Sequence, residues 1–177
     1  MSINESNAVP IKVLFVCLGN ICRSPTAHGI FEKMVADAGL EEAIIVDSAG
    51  TGDWHIGKAP DPRASEAALS RNHDLSHLRA RQVRPEDFLE FDYILAMDKQ
   101  NLWDLRAMAL PEFKGHLGLF LDFGQSELEG GLDGETESRL EEVPDPYSGG
   151  REGFDEVLDL VEHTAQGLLS HLREQLS

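Results

Sequence analysis

Apolar residues enter this chain in short blocks whose spacing switches between two periods. Ile11-Lys12-Val13-Leu14-Phe15-Val16 is a nearly unbroken apolar run rich in β-branched residues, the pattern of a strand buried on both faces. Further on, Ala27, Ile30, Phe31, Met34, Val35 and Ala38 recur at the three-and-four spacing of an amphipathic helix. Ser24 is placed to be its N-cap, Pro25 suits its first position, and Gly39 its stop. The alternation then repeats. Ile44-Ile45-Val46 predicts a strand, Ala64 to Ser70 a helix, Tyr93 to Met97 a strand, Lys99 to Ala109 a helix, and Leu117 to Leu121 a strand. From Phe154 to Leu176 the residues Val157, Leu160, Val161, Thr164, Leu168, Leu169 and Leu172 share one face of a closing helix.

Strands alternating with helices predict an α/β fold: a single doubly wound domain, with a mostly parallel four-stranded sheet and helices on both faces. Such sheets bind ligands beyond the carboxyl ends of their strands, which directs attention to the loop between the first strand and first helix. Residues 1–10 are polar and lack the basic start and apolar centre of a signal peptide, so they read as a disordered leader. The domain spans 11–177. Within it, 125–142 carries seven acids, one arginine and three glycines, and reads as a solvated acidic insertion, with a recognition tail as the other reading.

Charge narrows the choice of partner. The chain carries 15 − 32 = −17 formal charges, which argues against a nucleic acid or an anionic membrane surface. No apolar run approaches a membrane span. The two cysteines, Cys17 and Cys22, sit too close in sequence to staple distant parts of a fold, so a reducing, cytoplasmic setting is expected.

Both cysteines lie in the loop singled out by the fold, Cys17-Leu18-Gly19-Asn20-Ile21-Cys22-Arg23-Ser24. A loop that wraps into a helix N-terminus aims several backbone N–H groups at one small hollow, which suits a phosphate. Gly19 permits close backbone approach, and Asn20 tolerates a left-handed conformation while its side chain braces the turn. Arg23 can grip two phosphoryl oxygens with its planar fork. The same donors favour the thiolate of Cys17, the form in which sulfur is a nucleophile. Ser24 can donate to that sulfur. The bland alternative, a buried core thiol beside a surface arginine, leaves the Gly-Asn turn, the arginine and the Ser-Pro helix start as unrelated accidents.

The run from Val13 to Ala27, VLFVCLGNICRSPTA, resembles the signature of the low-molecular-weight protein tyrosine phosphatases. Asp47 to Thr51 through Trp54, Gly57 to Pro62, and Pro144-Asp145-Pro146-Tyr147 match in the family's order, so the likeness covers nearly everything except the leader and the acidic insertion. The resemblance implies a hydrolase that needs no metal or other cofactor and passes through a phosphocysteine. In it Cys17 is the nucleophile, Arg23 the phosphate clamp, and Asp145 the general acid and then base. Taken alone, an aspartate between prolines is more often a turn residue. The resemblance further implies that Trp54 and Tyr147 wall the substrate ring, and that Asn20, Ser24, Ser48 and Asp98 support the loop. Where the family often has a second aromatic after the first, this chain has Ser148. At Ile21 the arginine-phosphatase branch has threonine, so isoleucine implies phosphotyrosine.

Cys22 has two readings: a redox partner that shields Cys17 through a disulfide, or a small packing residue. A basic exception to the acidic field is expected from Arg23 with Lys58, Arg63, Arg79, Arg81 and Arg84. A phosphotyrosine protein, such as a tyrosine autokinase, is the implied partner. An arsenate reductase shares this scaffold but usually needs another cysteine outside the loop. A non-catalytic phosphotyrosine-binding module would be expected to have lost Cys17 or Asp145. Gly52 to Lys58 imitates the start of a nucleotide-binding loop, but Ala59 and Pro60 stand where Ser/Thr and a helix are required. His73 and His77, four apart, have no accompanying carboxylate–histidine cluster in the sequence to make a metal site.

Overall fold

The apolar run at the start of the chain becomes the centre of the sheet. A computed structural model of the protein describes residues 9–127 and 141–177. In it β1 (Ile11–Cys17) pairs with β2 (Ile44–Gly50) on one side and β3 (Tyr93–Ala96) on the other, and β4 (His116–Leu119) lies outside β3. All of these pairings are parallel, giving the order β2-β1-β3-β4. The helices are α1 (Arg23–Asp37), α2 (Pro62–Leu69), the single turn α3 (Asp87–Glu90), α4 (Lys99–Met108) and α5 (Arg151–Leu176).

Side chains alternate across β1, so it feeds two cores. Val13, Phe15 and Cys17 join α1, α2 and α5 on one face, where the Phe15 ring meets Phe31 and Phe120 edge-on at centroid distances of 5.8 and 5.1 Å. Leu14 and Val16 face Phe88, Phe91, Leu102 and Leu105 on the other. Burying each such side chain contributes about 1.5–3 kcal/mol. β1 is therefore held from above and below, and its carboxyl end is a rigid platform.

Several boundaries differ from the sequence expectation. β2 continues to Gly50 through the polar pair Asp47-Ser48, because its backbone pairs with β1 as far as Cys17. Phe120 is buried and opens a 3₁₀ helix, Phe120–Glu127, so residues 125–127 of the expected acidic loop are helical and β4 ends at Leu119. The leader at 1–8 and the insertion at 128–140 lie outside the described residues. α1 ends as expected: Gly39 has φ +72°, and the Leu40 amide reaches back to the Val35 carbonyl at 2.9 Å. From β1 the chain passes to β2 at one edge, then crosses over to β3 and β4, which puts the switch point at the carboxyl ends of β1 and β3.

Candidate active site

At that switch point the chain leaves β1 at Cys17 and wraps into α1. The helix begins at Arg23, with Cys22 at the cap position and no side-chain cap. This corrects the expectation that Ser24 is the N-cap. Its hydroxyl is turned the other way, 3.0 Å from Cys17 Sγ, and accepts from Asn20 Nδ2 at 2.8 Å. With that amide on an acceptor site of the Ser24 oxygen, the hydroxyl proton is shared between the Cys17 sulfur and the Ala49 carbonyl, 3.4 Å away. Asn20 sits at φ +57°, sends its own N–H to Cys17 Sγ at 3.3 Å, and accepts the Arg81 N–H at 3.0 Å.

The loop turns its carbonyls outward. Those of Cys17, Leu18, Ile21 and Cys22 accept from the amides of Thr51, Gly52, Asp61 and Thr26. The amides of Leu18, Gly19, Ile21 and Cys22 find no acceptor among the described residues, which leaves them available to an anion. The close fit depends on Gly50, at the end of β2. A Cβ there would lie 2.7 Å from the Leu18 carbonyl oxygen and 3.1 Å from the Asn20 nitrogen.

Arg23 is 3% exposed and locked in place: one Nη donates to Asp98 Oδ2 at 2.6 Å and to the Val143 carbonyl at 3.0 Å, and the other lies 3.8 Å from Asp145 Oδ2. Burial works against this cation, but the Cys17 sulfur and the Asp98 and Asp145 carboxylates outweigh it and hold the guanidinium above its ordinary value. Asp98 serves twice, since its Oδ1 also caps α4 by accepting from the Asn101 N–H at 2.7 Å. Burial, reinforced by Asp61, Cys17 and Asp145, pushes the Cys22 thiol up to about 12. Cys22 is thus a neutral thiol.

The hollow holds about 180 Å3 and is lined by Cys17, Leu18, Gly19, Ile21, Cys22, Arg23, Trp54, His55, Asp145 and Tyr147. Cys17, 3% exposed, lies deep within it, and Trp54 and Tyr147 stand at its mouth, 64% and 53% exposed. The indole folds back over Gly52, where any Cβ would meet the ring at 1.8 Å. Tyr147 is braced by Arg63, whose guanidinium carbon sits 5.4 Å from its ring centroid and 4.9 Å from that of Phe154. Asp145 Oδ1 accepts the Tyr147 N–H at 3.0 Å, which leaves Oδ2 free toward the pocket and Arg23.

Other expected residues are placed elsewhere. Ser48 bonds His28 Nδ1 on α1 at 2.9 Å and does not touch the loop directly. Asn20 and Ser24 stand behind the pocket wall and act on Cys17 from there. Of the six expected cations, Arg23 alone lines the pocket. Arg63 is held by Asp61, Arg81 by Asp47 and Asp87, and Arg84 by Asp87. His55 and Gly50 were not singled out by sequence reasoning. His55 offered no signal beyond its neighbour Trp54, and Gly50 none beyond its place in a family-like run. Among the described residues, no group of three or more His, Cys, Asp or Glu side chains is placed to hold a metal ion, and no helix is long and apolar enough to cross a membrane.

Comparison with known proteins is consistent with this geometry. Residues 12–177 match the family model described as low molecular weight phosphotyrosine protein phosphatase. A low molecular weight protein-tyrosine-phosphatase of Streptomyces coelicolor is 41% identical over 166 residues, covering 93% of this chain and 95% of its own. The crystal structure of YfkJ from Bacillus subtilis superposes with a TM-score of 0.83 at 38% identity, covering 97% of this chain and 99% of that one. That of a protein tyrosine phosphatase from Entamoeba histolytica gives 0.82 at 36%, covering 94% and 99%.

Proposed function

Since the chain belongs to the low molecular weight phosphotyrosine protein phosphatase family, and is a protein tyrosine phosphatase, we propose that it cleaves phosphotyrosine through a phosphocysteine on Cys17. The observation that carries this reading is one buried sulfur met by the Asn20 amide and the Ser24 hydroxyl, in a hollow also lined by a guanidinium that Asp98 and Val143 fix in place. Such donors favour negative charge on a sulfur, the form in which it attacks.

In the first step Cys17 Sγ forms a bond to phosphorus while the bond to the tyrosyl oxygen breaks. Arg23 and the free loop amides take up the charge on the phosphoryl oxygens. Asp145, protonated, gives its proton to the departing tyrosyl oxygen, so tyrosine leaves neutral. In the second step Asp145, now a carboxylate, removes a proton from water as the water oxygen bonds to phosphorus. The sulfur leaves as thiolate, eased by the Ser24 hydroxyl, and phosphate is released. Trp54 and Tyr147 hold the aromatic ring, which selects aryl over short alkyl esters, and stacking of this kind contributes about 0.5–1.5 kcal/mol beyond area burial. The substrates are phosphotyrosine proteins, with a tyrosine autokinase among the candidates for trapping on the Cys17→Ser protein. The setting is the cytoplasm, where Cys17 and Cys22 remain free thiols as they are here.

The test is leaving-group dependence. Asp145→Ala should lower kcat/KM on phenyl phosphate, whose leaving group needs the proton, by about 10²–10⁴-fold. On aryl phosphates with strongly acidic phenols the loss should be much smaller. Equal losses across the series would remove Asp145 from the acid role.

A further inference from the structure

The acidic chain carries a local cationic strip beside the pocket, and its placement rests on two independent contacts. Segment 79–83 runs past the phosphate loop, with the Arg81 N–H on Asn20 Oδ1 and Gly50 bonded on both sides, from its own N–H to the Arg81 carbonyl and from the Val83 N–H to its carbonyl. The same segment pairs with residues 57–58: the Gly57 N–H donates to the Ala80 carbonyl, and the Ala80 N–H to the Lys58 carbonyl, each at 2.8 Å. A turn closed by the Lys58 N–H on the His55 carbonyl at 2.9 Å joins Lys58 to a residue that lines the pocket. Lys58 is therefore paired with Ala80, the chain neighbour of Arg79, and lies three residues from His55, which places both cations in the segments on the His55 flank of the site.

Both are exposed, and among the described residues neither meets a carboxylate. Arg79 donates to the carbonyls of Ser76 and Leu78, and Lys58 makes no side-chain bond. Arg23, Arg63, Arg81 and Arg84 are by contrast each held by an aspartate. The surface beside Asp145 has the reverse sign. Beyond Asp145 the surface is lined by Glu152 and Glu156, and its Arg151 is taken up by Glu66 and Asp155. A charge of −17 repels acidic ligands generally, so uncompensated cations in the segments beside His55 mark where such a ligand is tolerated.

Building on the phosphotyrosine reading, we propose that Lys58 and Arg79 form a docking strip for acidic residues flanking the phosphotyrosine of a protein substrate. The strip sets orientation as well as preference, because the acidic flank of the peptide must lie toward His55 and away from Glu152 and Glu156.

The test compares the wild-type protein with Lys58→Gln, Arg79→Gln and the double variant. The substrates are a phosphotyrosine peptide with Asp/Glu flanks, the same peptide with Ser/Gly flanks, and p-nitrophenyl phosphate. Each substitution should cost the acidic peptide about two- to fivefold in kcat/KM, the range of exposed charge pairs, and the double variant should lose the wild-type salt dependence. The neutral peptide and p-nitrophenyl phosphate should be unchanged in every variant. Equal kcat/KM for the two peptides with the wild-type protein, or parallel losses on both in the variants, would overturn the docking strip. If the wild-type protein fails on p-nitrophenyl phosphate, it is the catalytic reading that falls. Binding of non-hydrolysable phosphonate versions of the two peptides then decides the strip by the same comparison.

Discussion

Asp98→Asn isolates what holds the Arg23 guanidinium. Arg23 is 97% buried by area, and its shortest ion pair, 2.6 Å, is to Asp98 Oδ2; the next carboxylate, on Asp145, is 3.8 Å away. Removing one partner of a buried pair costs about 3–5 kcal/mol, because the cation left behind has lost both its hydration and its counter-ion. Asp98 is itself 20% exposed, so water can reach the vacated spot, and we expect the lower end of that range, about 3 kcal/mol. Asparagine remains a good cap for the Asn101 N–H, so this loss is electrostatic. Asp98→Ala also forfeits the cap and should cost about 1 kcal/mol more. Urea unfolding of the wild type and both variants at neutral pH measures the two costs. Adding 0.5 M salt should change them little, since the pair is shielded from solvent. Inorganic phosphate provides a second readout. A guanidinium no longer held in place binds phosphate poorly, so the stabilisation that phosphate gives the wild type should shrink in both variants. Asp98→Asn unfolding within 0.5 kcal/mol of wild type, with phosphate stabilisation intact, would show that Val143 and the loop suffice and that the ion pair is incidental.

Gly50→Ala places a methyl 2.7 Å from the Leu18 carbonyl oxygen, so the loop must move; about 1–3 kcal/mol of stability and about 10²-fold in kcat should be lost, read by thermal unfolding and p-nitrophenyl phosphate turnover. Iodoacetate at pH 7 should alkylate Cys17 and leave Cys22 intact, as the Cys22 thiol is pushed up to about 12; peptide mass spectrometry after brief labelling checks the ratio, and preferential labelling of Cys22 would contradict the electrostatics. His73 is held below its ordinary value by burial, opposed in part by Glu162, and its Nδ1 is buried without a hydrogen-bond partner. The unfolded chain thus binds a proton there that the folded one resists, so stability falls as pH drops below about 6.5 and levels off once the folded form is protonated too. His73→Gln should flatten that decline, as followed by urea midpoints from pH 8 to 5.

The strand–loop–helix unit around Cys17 was legible because its determinants are local. An apolar run, a Gly-Asn turn and an amphipathic stripe each declare themselves within a few residues. Residues whose roles depend on distant partners were not. Ser24 looked like a cap because serine before proline usually is one, yet the sulfur seven residues earlier claims its hydroxyl. Ser48, read from family likeness as loop support, faces a histidine on α1 twenty residues away in sequence. The turn α3 has too few residues to show a period, and what anchors it is Asp87, fully buried and bonded to Arg81 and the Arg84 amide. β2 was predicted too short because its last residues are chosen for the site and not for a core. Gly50 is the clearest instance: its necessity lies in the backbone of another segment.

The separation along the chain of the parts that meet at Arg23 also fixes when the protein can first act. The arginine emerges early in synthesis, whereas the Val143 carbonyl that steadies it follows 120 residues later, with Asp145 just behind. A ribosome-bound chain stalled before that point holds Cys17 but lacks Asp145 and the Val143 part of the brace on Arg23. The surroundings of Arg23 are therefore completed only after residues 143–145 have been made, well behind the loop they close on.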